Sequence, residues 1–172
     1  MTLQEIGLKH STDKASHHFY LPLYERLFKP YVFPNILEIG VQFGASLRTR
    51  REYFPYSFIL GIDTIDNRIP RTDDDTKIVF GDAYTRKMVY DIKGLEKLYD
   101  IIIDDGDHLP EHQAFVVGNY HRLLSPRGLL IIEDCTDIEP LKVAVPSGYQ
   151  FTAVEMIEGK SLVDSKLFII FK

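Results

Sequence analysis

The chain has 172 residues, 45% of them hydrophobic and 26% charged, with 11 Gly, 9 Pro, one Cys and a formal net charge of -5. That length fits a single domain spanning residues 1–172, and the apolar content excludes disorder as the main state. With 25 acidic against 20 basic residues and no Lys/Arg run, no nucleic-acid partner is expected, and Cys135 alone makes neither an intramolecular disulfide nor a thiolate zinc site.

Met1 to His10 alternates polar and apolar residues without the continuous apolar core of a signal peptide. No stretch approaches the ~20 apolar residues that span a bilayer, so the expectation is a soluble, cytoplasmic protein with no membrane partner. The polar Ser11-Thr-Asp-Lys14 then precedes an amphipathic helix expected over His17 to Tyr31. Thr12 to Tyr20 is denser in polar groups than a helix start requires. Capping by Ser11 or Thr12 explains part of it, and a substrate-contacting role for Thr12, Lys14, His17, His18 and Tyr20 explains it as well.

Five short apolar runs follow, Asn35 to Gly40, Ser57 to Asp63, Lys77 to Gly81, Tyr99 to Asp104 and Gly128 to Glu133. Continuous hydrophobicity is what strands buried on both faces of a parallel sheet require. Helical spacing lies between them at Ala45 to Phe54 and Pro110 to Leu124, and the charged stretch Asp66 to Thr76 reads as a long surface loop. Strand and helix alternation of this kind makes an open α/β sheet with helices on both faces, binding ligands at the carboxyl ends of its strands. The last two runs, Gln150 to Ile157 and Lys166 to Lys172, are too close in sequence for a crossover helix and are expected to form an antiparallel hairpin.

Chemistry-bearing residues collect at the predicted strand ends. The first strand runs into Glu38-Ile-Gly-Val-Gln-Phe-Gly-Ala-Ser46, where Gly40 and Gly44 permit a tight turn and close ligand approach, and a helix N-terminus near Ser46 offers free N–H groups. The spacing is not G-x-G-x-x-G, which counts against a nicotinamide-dependent reductase. Asp63 ends the second strand, where a carboxylate can accept from a ribose diol, and Asp82 follows the third, placed for an exocyclic adenine amine. The fourth strand ends in Asp104-Asp-Gly-Asp-His108 and the fifth in Glu133-Asp134. Neighbouring strands would bring these carboxylates into one cleft, and burying them without counter-charge is costly. A hard cation resolves the problem, Mg2+ first, with Ca2+ or Mn2+ as alternatives. His108 then stands beside it as a candidate general base. His10, His112 and His121 read as surface residues and Cys135 as a buried structural thiol.

Taken together, Glu38-x-Gly-x-x-x-Gly44, Asp63, Gly81-Asp82 and the terminal hairpin resemble the class I S-adenosylmethionine-dependent methyltransferases over roughly residues 35 to 172. Asp104-Asp-Gly-x-His108, Ile132-Glu-Asp134 and the N-terminal Ser-Thr-Asp-Lys-x-x-His-His-x-Tyr are similar to the metal-dependent sugar O-methyltransferases of macrolide biosynthesis. The resemblance implies a Rossmann-like, mostly parallel seven-stranded sheet with a C-terminal antiparallel hairpin. It implies S-adenosylmethionine held by Glu38, Gly40, Gly44, Ser46, Asp63, Asp82 and Asp104, and Mg2+ ligated by Asp105, Glu133 and Asp134. His108, with Asp105, is the implied catalytic pair, and the acceptor a hydroxyl of a sugar or glycosylated small molecule. In this reading residues 1–34 form a helical, substrate-covering segment and 35–172 the cofactor-binding core. Two departures stand out: Asp107 occupies a position where Ser is usual, and Ser11 stands where Gly is usual. A catechol-type O-methyltransferase and a non-catalytic cofactor-binding subunit remain as alternatives, and homo-oligomerisation is left open.

Overall fold

Ile36–Ile39, strand β1, is buried at every position and is an interior strand of a seven-stranded sheet. The structure, a computed structural model, describes residues 1–66, 74–156 and 166–172. Most of the expected Asp66 to Thr76 loop, and the link between the last two runs, therefore lie outside the described residues. Strands β2 (Ile59–Asp63), β3 (Thr76–Phe80), β4 (Tyr99–Asp104), β5 (Leu124–Ile132), β6 (Gln150–Glu155) and β7 (Lys166–Phe171) complete the sheet in the order β3-β2-β1-β4-β5-β7-β6. The first five run parallel; β7 lies antiparallel between β5 and β6. The order reverses at β1, between β2 and β4, which creates a crevice at the carboxyl edge.

Side-chain alternation along these strands divides the core in two. Leu37, Leu60, Ile102 and Leu130 face helices α5 (Arg86–Lys93), α6 (Pro110–Tyr120) and α7 (Glu139–Ala144), with Met88, Ile92, Val117, Tyr120 and Leu141 packed between. On the other side Ile36, Ile59, Ile101 and Ile131 face α1 (Leu3–Lys9), α2 (Asp13–Ser16), α3 (Leu21–Phe28) and α4 (Ala45–Tyr53), packed through Leu3, Ala15, Leu21, Tyr24, Phe28 and Leu47. The N-terminal 34 residues thus supply, together with α4, one layer of the core. No helix among the described residues is long and apolar enough to cross a membrane.

Two helix boundaries need correction, and one helix is unanticipated. The helix expected over His17 to Tyr31 is confined to Leu21–Phe28, because Pro22 in its first turn would clash with the carbonyl four residues back if His18 were helical, and Phe19 turns to a φ of 56°. The Met1 to His10 segment contains a helix, closed at its N-terminus by reciprocal hydrogen bonds between Thr2 and Glu5. Helix α6 ends at Tyr120, after which His121–Leu123 tighten into a 3-10 turn and β5 begins at Leu124. Pro126 disfavours the helical conformation at Ser125.

One hydrogen bond beyond each paired strand fixes the level of the site. Gly40 N–H donates to Ile62 O, Gly81 N–H to Asp63 O, Asp105 N–H to Ile39 O and Glu133 N–H to Asp104 O, all at 2.8 to 2.9 Å. Gly40 has a φ of 80°, and a Cβ there would lie 2.0 Å from the Asp105 carbonyl oxygen. Gly40→Ala should therefore cost more than the ~1–2 kcal/mol of a left-handed backbone alone. Gly118→Ala, in helix α6 with nothing within 4 Å of the added carbon, should raise stability by about 1 kcal/mol. Thermal denaturation of the two variants checks both signs.

Candidate active site

The carboxyl edge of the sheet opens into a cleft of about 900 Å³. Of the expected cofactor residues, Gly40, Ser46, Asp63 and Asp82 line it. Asp63 does more structural work than a free carboxylate would. Its Oδ2 accepts the Val41 and Gln42 N–H groups at 2.9 and 2.7 Å, and its Oδ1 accepts Ile65 N–H at 3.0 Å. Those bonds hold the loop after β1 in its turn and leave little acceptor capacity for a ribose. Asp82 is exposed and uses Oδ1 for Tyr84 N–H at 2.8 Å, leaving Oδ2 toward solvent.

Three of the expected cofactor residues do not reach the cleft wall. Glu38 is fully buried on the α4 side and accepts from Arg50 Nη1 at 2.8 Å; burial pushes its carboxyl up, and the Arg50 guanidinium opposes that. Its place follows from strand alternation, which points it the same way as Ile36. Gly44 sets the turn into α4 with a φ of 75°. Asp104 is 1% exposed and accepts from the Tyr84 hydroxyl at 3.2 Å, and burial pushes it up to about 7.

At the β4 and β5 ends the expected convergence is present. Asp105, His108 and Asp134 offer oxygen and nitrogen atoms that all lie within 4.8 Å of one another. His108 Nε2 is 3.3 Å from Asp105 Oδ1 and 3.7 Å from Asp134 Oδ2. Both His108 and Asp134 sit in the left-handed backbone region, φ 60° and 54°, a local cost that the surrounding structure sustains. The hydrogen bond to Asp105 pushes His108 up to about 9. Glu133 stands one layer deeper, 1% exposed, with Oε1 accepting from the Tyr24 hydroxyl at 2.7 Å and Oε2 from Lys14 Nζ at 2.6 Å. Lys14 also donates to Asp105 Oδ2. Burial alone would raise Asp105, but Lys14 and His108 more than offset it and hold it below its usual value. Glu133 shares the same ammonium without a histidine, and burial pushes it up to about 8.

Among the expected substrate residues, Thr12, Lys14 and His18 line the cleft, joined by Ser11 and Asp13. His17 is exposed beside Ser16 and away from it. Tyr20 is fully buried, and its hydroxyl donates to Asp134 Oδ1 at 2.5 Å, so it meets the acidic cluster from beneath. Lys14, with a side chain 2% exposed, is an internal cation more than a surface contact. His112, read from sequence as a surface residue, lines the cleft: it bonds Asp107 Oδ2 at 2.6 Å and stacks on Tyr84 with ring centroids 4.4 Å apart. Tyr24 and Tyr84 had no place among the sequence candidates. A tyrosine four residues after Tyr20 on an amphipathic helix was the available signal for Tyr24.

Two carboxylates and an imidazole at this spacing suit a hard or borderline divalent cation, and the buried Glu133 adjoins them. No family model matches the chain. It is 31% identical over 144 residues to the 8-demethyl-8-alpha-L-rhamnosyl tetracenomycin-C 2'-O-methyltransferase of Streptomyces olivaceus, a match covering 77% of this chain and 37% of that protein. The mycinamicin VI 2''-O-methyltransferase of Micromonospora griseorubida is also 31% identical over 144 residues, covering 77% of this chain and 35% of that protein. The chain thus spans little more than a third of the length of these relatives. Among solved structures, the MycE methyltransferase of the mycinamycin biosynthetic pathway, in complex with Mg and SAH, superposes with a TM-score of 0.72 at 29% identity, over 78% of this chain and 39% of that one. An O-methyltransferase from Bacillus cereus in complex with SAH, 17% identical, shares the fold with a TM-score of 0.66 over 99% of this chain and 90% of its own.

The electrostatics of the cluster set a pH dependence for the metal-free protein. His108, raised from 6.5 to about 9, and Glu133, raised from 4.5 to about 8, both bind protons more tightly folded than unfolded. Each contributes stability that is complete below its unfolded value and lost as pH rises through the folded one. In the presence of a chelator the melting temperature should fall between about pH 4.5 and pH 9, and His108→Ala should flatten the part of the curve above pH 6.5. A wild-type profile that rises across this window contradicts the assignment.

Proposed function

Because the chain has the class I methyltransferase fold and is similar over three quarters of its length to the O-methyltransferases of a rhamnosyl tetracenomycin and of mycinamicin VI, we propose that it transfers the methyl group of S-adenosylmethionine to a hydroxyl of a sugar in a glycosylated small molecule. In this reading Asp105, Glu133 and Asp134 hold Mg2+, and His108 is the general base. One juxtaposition supports it above the rest: the Asp105, His108 and Asp134 ligand atoms lie within 4.8 Å of one another on the wall of the cleft that Gly40, Asp63 and Asp82 also line.

When bound, S-adenosylmethionine supplies an electrophilic sulfonium methyl group and Mg2+ lowers the pKa of a hydroxyl it polarises. The chain's own residues do the rest. Asp63 ties down the loop after β1, so that the Gly40 turn brings backbone close to the cofactor pocket. Asp82, with one oxygen unused by the loop, is the acceptor for an adenine amine. Exposed Phe43 and Ile65 line the same end of the cleft and provide apolar surface for a base.

His108 is oriented by Asp105 through Nε2. Through its hydrogen bond to Asp105, and with Asp134 and Glu133 facing it, His108 keeps its proton at neutral pH in the metal-free site. With those carboxylates neutralised the imidazole is left free to take a proton from an acceptor hydroxyl, a contribution of typically ~10² to 10⁴-fold. Ser11, Asp13 and His18, from the N-terminal layer, form the wall that sugar hydroxyls would meet.

Calorimetry with S-adenosylmethionine, with and without Mg2+ and chelator, together with methyl transfer from labelled cofactor to a panel of glycosides and catechols, tests this reading. Cofactor binding and chelator-sensitive methylation of glycosides are expected. Methylation of catechols alone would turn the assignment to the aromatic acceptor, and cofactor binding with no transfer to either class would favour a non-catalytic subunit. His108→Ala should lower turnover ~10² to 10⁴-fold with cofactor affinity nearly unchanged; near-normal turnover removes His108 as the base.

A further inference from the structure

Lys14 is the least expected member of the acidic cluster. It lies on the four-residue helix α2, anchored by the buried Ala15, whose carbonyl accepts Gln4 Nε2 at 2.8 Å. From there its side chain reaches inward, 2% exposed, to two carboxylates 91 and 119 residues away in the chain. An ammonium is buried at this depth only where anions offset its lost hydration. Both partners belong to the set assigned above to the metal.

The division of oxygens is specific. Asp105 turns Oδ2 to Lys14 and Oδ1 to His108, while Glu133 turns Oε2 to Lys14 and Oε1 to Tyr24. Asp134 is met by Tyr20 at Oδ1, with His18 Nδ1 at 3.4 Å, and by His108 at Oδ2. Two of the three carboxylates, Asp105 and Glu133, therefore share one permanently charged side chain in contact with both. We propose that Lys14 is a positioning residue and the resident counter-cation of this site: it holds Asp105 and Glu133 converged without a metal, and competes with a divalent cation for them, so that it sets how tightly the site takes one. The proposal rests on the reading of Asp105, Glu133 and Asp134 as a metal site.

The alternatives predict different signs. A lysine that only braces the structure would loosen the carboxylates when removed, and metal affinity would fall. A lysine that contacts the acceptor would alter KM for the acceptor and leave metal affinity where it was. A competing cation, once removed, leaves like charges facing one another and a stronger field for a divalent ion.

The test measures Mn2+ binding by electron paramagnetic resonance on the full chain, wild type and Lys14→Met, alongside melting temperatures in chelator and in Mn2+. Lys14→Met should bind Mn2+ about tenfold more tightly or better. It should also melt below wild type in chelator and gain more than wild type from Mn2+. Unchanged or weaker Mn2+ affinity overturns the proposal. Lys14→Gln serves where Lys14→Met does not fold in chelator, and failure of both to fold even in Mn2+ overturns it too, because a metal should then replace the ammonium. If neither wild type nor variant binds Mn2+, the metal-site reading itself fails; if wild type binds and the variant binds no more tightly, only the role of Lys14 does.

Discussion

The constraint on which the carboxyl edge of this protein depends is the neutralisation of buried negative charge. Asp104, Asp105, Glu133 and Asp134 stand at two adjacent strand ends, and three of the four are at most 5% exposed. Carboxylates at such depth need donors or cations, since water no longer solvates them. The chain answers with groups from every element packed against them: Lys14 from α2, Tyr20 and Tyr24 from in and around α3, Tyr84 from the segment after β3, and His108 from the loop after β4. The N-terminal layer is thus tied to the site chemically as well as by packing.

That arrangement links architecture to reactivity. Parallel strands β1, β3, β4 and β5 end at one level because each is extended by a single hydrogen bond to its neighbour. The level decides that Asp63 lies where it can bind the loop amides and that Asp105 and Glu133 lie where one ammonium reaches both. Rigidity of this kind is what the proposed methyl transfer would need, since its rate would depend on holding two reacting groups in line. The same packing fills most of the acceptor capacity of Asp63 and Glu133 with protein donors.

Much of this was legible in the residues themselves. Continuous apolar runs marked the five parallel strands, and the short span between Gln150 to Ile157 and Lys166 to Lys172 marked the antiparallel pair. The strand ends could be read as a site because open α/β sheets bind ligands there. Less legible was anything that turned on a single backbone choice. Pro22 and the positive φ of Phe19 shortened a helix that periodicity alone extends to Tyr31. The Thr2 and Glu5 pair was a capping signal that the surrounding alternation obscured.

Which residues touch was beyond the reach of sequence. Glu38, two residues before a glycine turn, resembles a ligand-binding carboxylate, but the two-residue period of β1 points it to Arg50. His112 looks like a surface residue on a helix, but helix placement against Tyr84 puts it in the cleft. Lys14 and Tyr20 sit in a polar segment that could face solvent or substrate, and only the docking of that segment on the sheet turns them inward. By itself the sequence determined the class of fold and the acidic residues concentrated at the carboxyl edge of the sheet, because hydrophobic period and strand-end position are local properties of the chain. The tertiary structure alone decided which charges meet, because contacts between residues some hundred positions apart depend on how the layers pack, and no local pattern encodes that.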